Sequence, residues 1–154
     1  MKWFNSYLAD RMKAVVTNSG MSSITQCQYG VSQDSVLGPV LFTLYTSPIA
    51  SIMSQHGASH SAYADDVNAL AAIDHDDLEA CAVVKATAAV RDWYADNGML
   101  LNASKSEAIL VGTRARLSKF EKNTSVTVAE ARVKCGESLT SLGVVIDPQL
   151  SFEA

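Results

Sequence analysis

No apolar run in this 154-residue chain approaches the roughly 20 residues needed to span a bilayer, so a membrane-spanning helix is not expected. The opening residues, Met1-Lys2-Trp3-Phe4-Asn5-Ser6, also lack the uninterrupted hydrophobic stretch of a secretory leader. Cysteine is scarce: Cys27, Cys81 and Cys135 are odd in number, widely spaced and without the paired spacing of a zinc site. They read as small core residues in a reducing compartment. A positive balance is missing too. Twelve Lys and Arg face 16 Asp and Glu, a net charge of −4, which disfavours a strong grip on a polyanion by this stretch alone. There is no internal repeat and no low-complexity tract. What is present, 48% apolar and 18% charged residues, is ordinary for one globular domain with a real core.

Along the chain, Trp3, Phe4, Tyr7, Leu8 and Met12 recur at helical spacing and predict a helix over 3–12, with Arg11 and Lys13 near its negative end. Val15 to Thr17 and Ile24 to Cys27 flank Asn18-Ser19-Gly20 as strand, turn and strand. A polar loop, Gly30 to Pro39, opens into a helix whose apolar stripe is Leu37, Val40, Leu41, Leu44 and Tyr45. Ser35 or Asp34 serves as its N-cap, and Pro39 fits the first turn, where amides have no intrahelical acceptor. Ser47-Pro48 starts a shorter helix ending at Gly57. His56 and His60 lack ligand spacing and read as surface residues.

Asp74-His75-Asp76-Asp77 begins a long helix to about Asn97-Gly98, with Leu78, Cys81, Ala82, Ala89, Val90 and Trp93 on its inner face. Those acids suit a positive helix terminus better than a second metal site. Ala108 to Gly112 is a short strand, and Arg114, Arg116, Lys119 and Lys122 form a basic stretch that reads as a solvated linker or a phosphate contact. Val126 to Val128 and Val133 to Cys135 alternate as a hairpin, and Leu139 to Ile146 reads as one more strand, ended by Pro148.

Between two strand-like runs lies Tyr63-Ala64-Asp65-Asp66. Within a continuous strand, adjacent carboxylates would point to opposite faces and could not serve one site. At the tip of a tight hairpin both can project from the end of the sheet, where Asp tolerates the turn conformation. Such a pair can seat a hard cation such as Mg²⁺, or it can be a polar turn and nothing more.

Taken together, these segments resemble the reverse transcriptase domain of non-LTR (LINE-like) retrotransposons. The resemblance rests on four motifs in the family's order. They are Gly30-Val31-x-Gln33-x-Ser35-Val36-Leu37-Gly38-Pro39-x-Leu41-Phe42, then Tyr63-Ala64-Asp65-Asp66, then Trp93, Asn97-Gly98 and Leu101-Asn102-x-x-Lys105-x-Glu107, and finally Ser138-Leu139-x-x-Leu142-Gly143. Trp3-Phe4-x-Ser6-Tyr7-Leu8-x-x-Arg11 resembles the stretch just ahead of the first of them. The resemblance implies an α+β polymerase palm, a small antiparallel sheet backed by helices, with residues 1–154 forming one partial domain that runs from the loop-helix motif to the primer-grip region.

The implied chemistry is RNA-directed DNA synthesis, in which a primer 3′-hydroxyl attacks a deoxynucleoside triphosphate. The implied cofactor is Mg²⁺, with Mn²⁺ as an alternative, and the implied partners are an RNA template, a DNA primer and dNTP. By resemblance, Asp65 and Asp66 are metal ligands and catalytic residues. Lys105 is a catalytic cation near the triphosphate, and Gln33, Ser35 and Tyr63 bind substrate. Family habit places such proteins in cytoplasm and nucleus.

The chain departs from the family by carrying Ser32 and Asp34 where Pro and Gly are usual. Asp34 restricts the backbone and adds negative charge near an incoming triphosphate. The motif with the first catalytic aspartate is expected ahead of Trp3, and fingers and thumb are expected outside this stretch. The alternative reading is an inactive retroelement remnant, retained as a nucleic-acid or protein-binding module. Residues 1–154 alone are therefore expected to bind nucleic acid weakly or not at all, and not to extend a primer on poly(rA) with Mg²⁺ or Mn²⁺. Extension abolished by Asp65→Ala would contradict that.

Overall fold

A computed structural model of the chain describes residues 2–32, 34–73, 78, 81–121 and 123–151. The backbone divides into two compact units, residues 1–46 and 47–154.

The first unit opens with helix α1 (Lys2–Leu8). Trp3 stacks on Tyr7 at 5.7 Å between centroids, the spacing that brings i and i+4 side chains together. Trp3 also meets Phe4 edge-on at 5.4 Å. The helix stops four residues short of the expected Met12 because Asp10 adopts a left-handed φ of 52°. Arg11 Nε then donates to the Leu8 carbonyl at 3.2 Å, supplying a cation at the negative helix end. Met12 belongs instead to strand β1 (Met12–Lys13), followed by β2 (Val16–Thr17), β3 (Gly20–Met21) and β4 (Thr25–Gln26). β2 pairs with β3 around Asn18-Ser19, and β1 pairs with β4, so the whole segment is one interrupted antiparallel ribbon. Helix α2 (Gly38–Thr46) closes the unit.

The second unit begins with α3 (Pro48–Gln55), which has proline at its start. Its C-terminus is a Schellman motif: the Gly57 amide donates to Ser54 at 3.0 Å and the Ala58 amide to Met53 at 3.0 Å. Gly57 takes the left-handed φ of 77° that this cap requires. Strands β5 (Ser59–Tyr63) and β6 (Asp66–Leu70) follow as an antiparallel hairpin. The next helix, α4 (Ala82–Asp96), ends in a second Schellman motif, with Gly98 N donating to Ala95 O at 3.3 Å and Met99 N to Tyr94 O at 2.8 Å. Among the described residues this helix begins at Ala82, with Cys81 extended ahead of it, rather than at Asp74. Residues 74–77, which carry the acidic cluster, lie outside the described residues.

A 3₁₀ turn (Ala103–Lys105) leads to β7 (Ala108–Ile109) and to a one-turn helix, α5 (Arg114–Leu117). The basic stretch expected as a linker is therefore structured. Thr113 Oγ1 accepts the Arg116 amide at 3.4 Å, and the side chains of Arg116 and Arg114 reach Ile73 O and Gln149 Oε1 at 3.1 and 3.2 Å. Strands β8 (Ser125–Val128) and β9 (Ala131–Gly136) form the expected hairpin, and β7 joins it in parallel to give the order β7-β9-β8. Leu139 to Ile146, expected as one strand, is a hairpin of β10 (Leu139–Ser141) and β11 (Val144–Ile146). Leu142 and Gly143 turn the chain, with φ of 49° and 82°. The α+β class is as expected, with small, mainly antiparallel sheets accompanied by helices; among the described residues the strands fall into five small sheets rather than one.

The core of the second unit is narrow. Ile49, Met53 and Ala58 from α3 and its cap meet Ala86 and Val90 of α4, and Val67, Ala69 and Trp93 pack against them. The expected inner face of α4 named Val90 and Trp93 but missed Ala86 and Thr87, both buried. Met53 and Val90 are the largest fully buried side chains. Cys27, Cys81 and Cys135 are free thiols and half-buried. Among the described residues no helix is long and apolar enough to cross a membrane.

Met53→Ala should lower unfolding free energy by about 2–4 kcal/mol, read as a lower urea midpoint with unchanged slope. Gln55→Ala, on the exposed side of the same helix, should change it by less than about 0.5 kcal/mol. Burial pushes the Cys135 thiol and the Tyr94 phenol above their ordinary values of 9.0 and 10.0. The folded state therefore favours both neutral forms. That stabilisation is complete below pH 9 and is lost as pH rises through the raised values. The urea midpoint should accordingly stay level between neutrality and the ordinary thiol value and fall above it; a midpoint that rises there would contradict the assignment.

Candidate active site

The paired acids sit where β5 turns into β6. Register runs from Ser59 opposite Leu70 to Tyr63 opposite Asp66, which leaves Ala64 and Asp65 as a two-residue turn. Residues directly opposite one another share a face of an antiparallel pair. One face thus carries Ala62, Val67, His60 and Ala69, and of these Val67 and Ala69 pack on the α3–α4 core. The other face carries Tyr63, Asp66, Ser61 and Asn68 and points away from that core. The helices back one side of the hairpin and leave the acids on the opposite side and at its tip.

The turn is strained. Ala64 has a φ of 53°, the left-handed region at the first central position, as in a type II′ turn, where glycine is usual. An L-residue there costs about 1–2 kcal/mol. The strain places Asp65 in the turn and Asp66 at the first position of β6, and both side chains are exposed. Among the described residues neither carboxylate has a hydrogen-bond or ion-pair partner. Tyr63, opposite Asp66, is 68% exposed and offers its ring at the same tip.

Two residues that the motifs did not single out join this face. Ser141 Oγ, on β10, donates to Asn68 Oδ1 at 3.3 Å and ties the β10–β11 hairpin to β6. Asn68 follows Asp66 by two positions, so strand alternation puts both on one face. That alternation was the available signal for Asn68; nothing local marked Ser141.

The other expected site residues lie on other segments of the chain. Lys105 is exposed at the end of its 3₁₀ turn and, among the described residues, forms no ion pair with Asp65 or Asp66. Gln33 lies outside the described residues. Ser35 belongs to the first unit, half-buried, where its Oγ accepts the Tyr7 hydroxyl at 2.7 Å and the Gly38 amide at 3.1 Å. Its hydroxyl therefore organises the turn ahead of α2, but the helix itself starts at Gly38, so neither Ser35 nor Asp34 is the N-cap that was expected. Asp34, where glycine was the family expectation, has a φ of 58°, the conformation glycine serves.

A model of the family described as reverse transcriptase (RNA-dependent DNA polymerase) matches residues 1–146. This chain belongs to that family. No curated protein and no solved structure matches it significantly. Reverse transcriptases in general work with divalent metals, and the donor set can be tested against one. Two carboxylates on adjacent residues suit Mg²⁺, which usually keeps several waters and takes phosphate oxygens beside one or two carboxylates. Among the described residues no group of three or more His, Cys, Asp or Glu could form a closed protein cage.

Ala64→Gly should stabilise the chain by about 1 kcal/mol, because glycine adopts the left-handed region without steric cost. The measurement is the urea midpoint. A destabilising effect would show that the turn does not hold a left-handed residue at position 64.

Proposed function

We propose that this chain is the palm portion of a non-LTR retrotransposon reverse transcriptase and that Asp65 and Asp66 hold divalent metal during nucleotidyl transfer from dNTP to a primer 3′-hydroxyl. The observation that carries this reading is the hairpin tip itself, which presents both carboxylates exposed, Asp65 in the turn and Asp66 on the face away from the helices. Non-LTR origin is supported by the order and spacing of the four motifs, Gly30 to Phe42, Tyr63 to Asp66, Trp93 to Glu107 and Ser138 to Gly143. The retained left-handed geometry at Asp34 favours a polymerase loop over a decayed remnant.

Bound at the acid pair, Mg²⁺ or Mn²⁺ would supply Lewis acidity toward the primer hydroxyl and the triphosphate. The chain's own residues would do the rest. Asp65 and Asp66 hold the cation at the rigid end of β5–β6, so that little reorganisation is needed when charge develops. Tyr63 packs against the nucleotide or the primer end. Lys105 places a cation toward the triphosphate, where it can neutralise or protonate the leaving pyrophosphate. Gln33 and Ser35 are assigned to substrate binding by the family resemblance alone. RNA template and DNA primer are the partners of the whole enzyme.

Two measurements test this. With residues 1–154, Mn²⁺ should broaden the amide resonances of residues 63–68 first, and Asp65→Asn with Asp66→Asn should abolish that preference. In a polymerising protein containing this chain, Asp65→Asn should lower the rate of primer extension on poly(rA) by about 10²–10³-fold or more. Undiminished extension would overturn the assignment.

A further inference from the structure

The outer face of the β5–β6 hairpin is covered at one place only. Ser59, Ser61, Tyr63, Asp66 and Leu70 share that face and are exposed, whereas Asn68 is half-buried. A covered residue with exposed neighbours two strand positions away on either side marks a single point of contact.

That contact comes from β10. Ser141 Oγ donates to Asn68 Oδ1 at 3.3 Å across 73 residues of chain. Among the described residues no other hydrogen bond joins the two hairpins. Burial of the β10–β11 hairpin follows the same geometry. Leu139 opposite Ile146 and Ser141 opposite Val144 share one side, and of these Leu139, Ser141 and Ile146 are half-buried, while Val144, beside the turn, is exposed. Thr140 and Val145, on the other side, are exposed.

Among the described residues β10 and β11 pair only with each other. A two-stranded ribbon is marginal by itself, so the position of this one depends on what it leans against. Its polar anchor is Asn68. The residue type there matters as well. Asn68 stands two strand positions from Asp66, about 6.6 Å along β6. A carboxamide oxygen accepts the Ser141 hydroxyl as a carboxylate would, yet it adds no charge beside the acid pair.

We propose that Asn68 and Ser141 are positioning residues for the acid pair: their bond locks the β10–β11 hairpin against the face of β6 that carries Asp66 and couples the order of that hairpin to cation binding at the tip. Docking removes water from the strand beside Asp66, and charge interactions strengthen where water is removed. A cation at the tip in turn favours the docked hairpin, because coupling between two sites is reciprocal. The inference rests on reading Asp65 and Asp66 as a metal site; the bond between the hairpins does not.

The test uses isotope-labelled residues 1–154, with Mn²⁺ and Mg²⁺ alone as probes. Mn²⁺ broadening of residues 63–66 reports the metal site, and hydrogen exchange of the β10–β11 amides reports docking. In the wild type, saturating Mg²⁺ should slow that exchange at least about fivefold. Without metal, Asn68→Ala should speed it about fivefold, the worth of one hydrogen bond, and leave the amides of α3 and α4 at their wild-type rates. The same variant should lose the Mg²⁺ effect and weaken Mn²⁺ binding by about the factor through which Mg²⁺ slowed the wild-type hairpin. Ser141→Ala should reproduce these changes and carries the test if Asn68→Ala fails to fold. Ser141→Thr, which keeps the hydroxyl, should behave as wild type, and so should Thr140→Ala on the exposed side. A purely structural bond would speed exchange in the variants while Mg²⁺ left the wild-type hairpin unaffected. That result, or unchanged exchange in Asn68→Ala, would overturn the proposal with the metal site intact. Absence of preferential broadening at residues 63–66 in the wild type would instead remove the metal site, and the coupling with it.

Discussion

The contact on which the second unit depends is that of α3 against α4. Met53 and Val90, both fully buried, meet there with Ile49, Ala58 and Ala86. Ala86 admits close approach, and Met fills the irregular space beside it. Val67 and Ala69 of β6 rest on this contact, so the ribbon carrying the acid pair inherits its position from helix packing rather than from a wide sheet. A two-stranded hairpin alone is marginal in water; the helices beneath make this one a platform.

The site then combines a rigid base with a strained tip. Ala64 occupies a conformation that disfavours any side chain, and the strain brings Asp65 and Asp66 to one end of the ribbon. Leu142, turning β10 into β11, occupies the same kind of backbone region, and Ser141 next to it bonds to Asn68. Two strained turns thus flank one face of β6. The strain is carried by turns whose two flanking strands pair with each other, which is where an unfavourable φ can persist.

Charge follows a similar division of labour. The hairpin tip is acidic and suits hard cations, while the β7-β9-β8 sheet and α5 concentrate the positive residues. Of these, Arg116 bonds to Ile73 O and Arg114 to Gln149, while on α4 Arg91 pairs with Asp92 and Glu130. Arg132 and Lys134 stand on the exposed outer face of β9. A protein that handles polyanions needs both signs, kept apart so that neither neutralises the other.

The chain by itself determined the elements with strong local signatures. Gly57 and Gly98 end helices because each supplies the left-handed residue of a Schellman cap. Val126 to Val128 and Val133 to Cys135 pair because their alternation matches a half-buried hairpin, and Ala64-Asp65 turns because the flanking runs pair as strands. Tertiary structure decided what lacked such a local mark. Helical periodicity through Met12 lost to the backbone reversal at Asp10, and the apolar run from Leu139 to Ile146 folded on itself at Leu142-Gly143, since periodicity does not encode the sign of φ. The basic stretch became the helical turn α5, held by Arg116 and Arg114 to partners 43 and 35 residues away, a distance over which sequence carries no pattern. The parallel pairing of β7 with β9 arose in the same way. Local chemistry set turns, caps and the acid pair, whereas long-range contacts chose which faces they present.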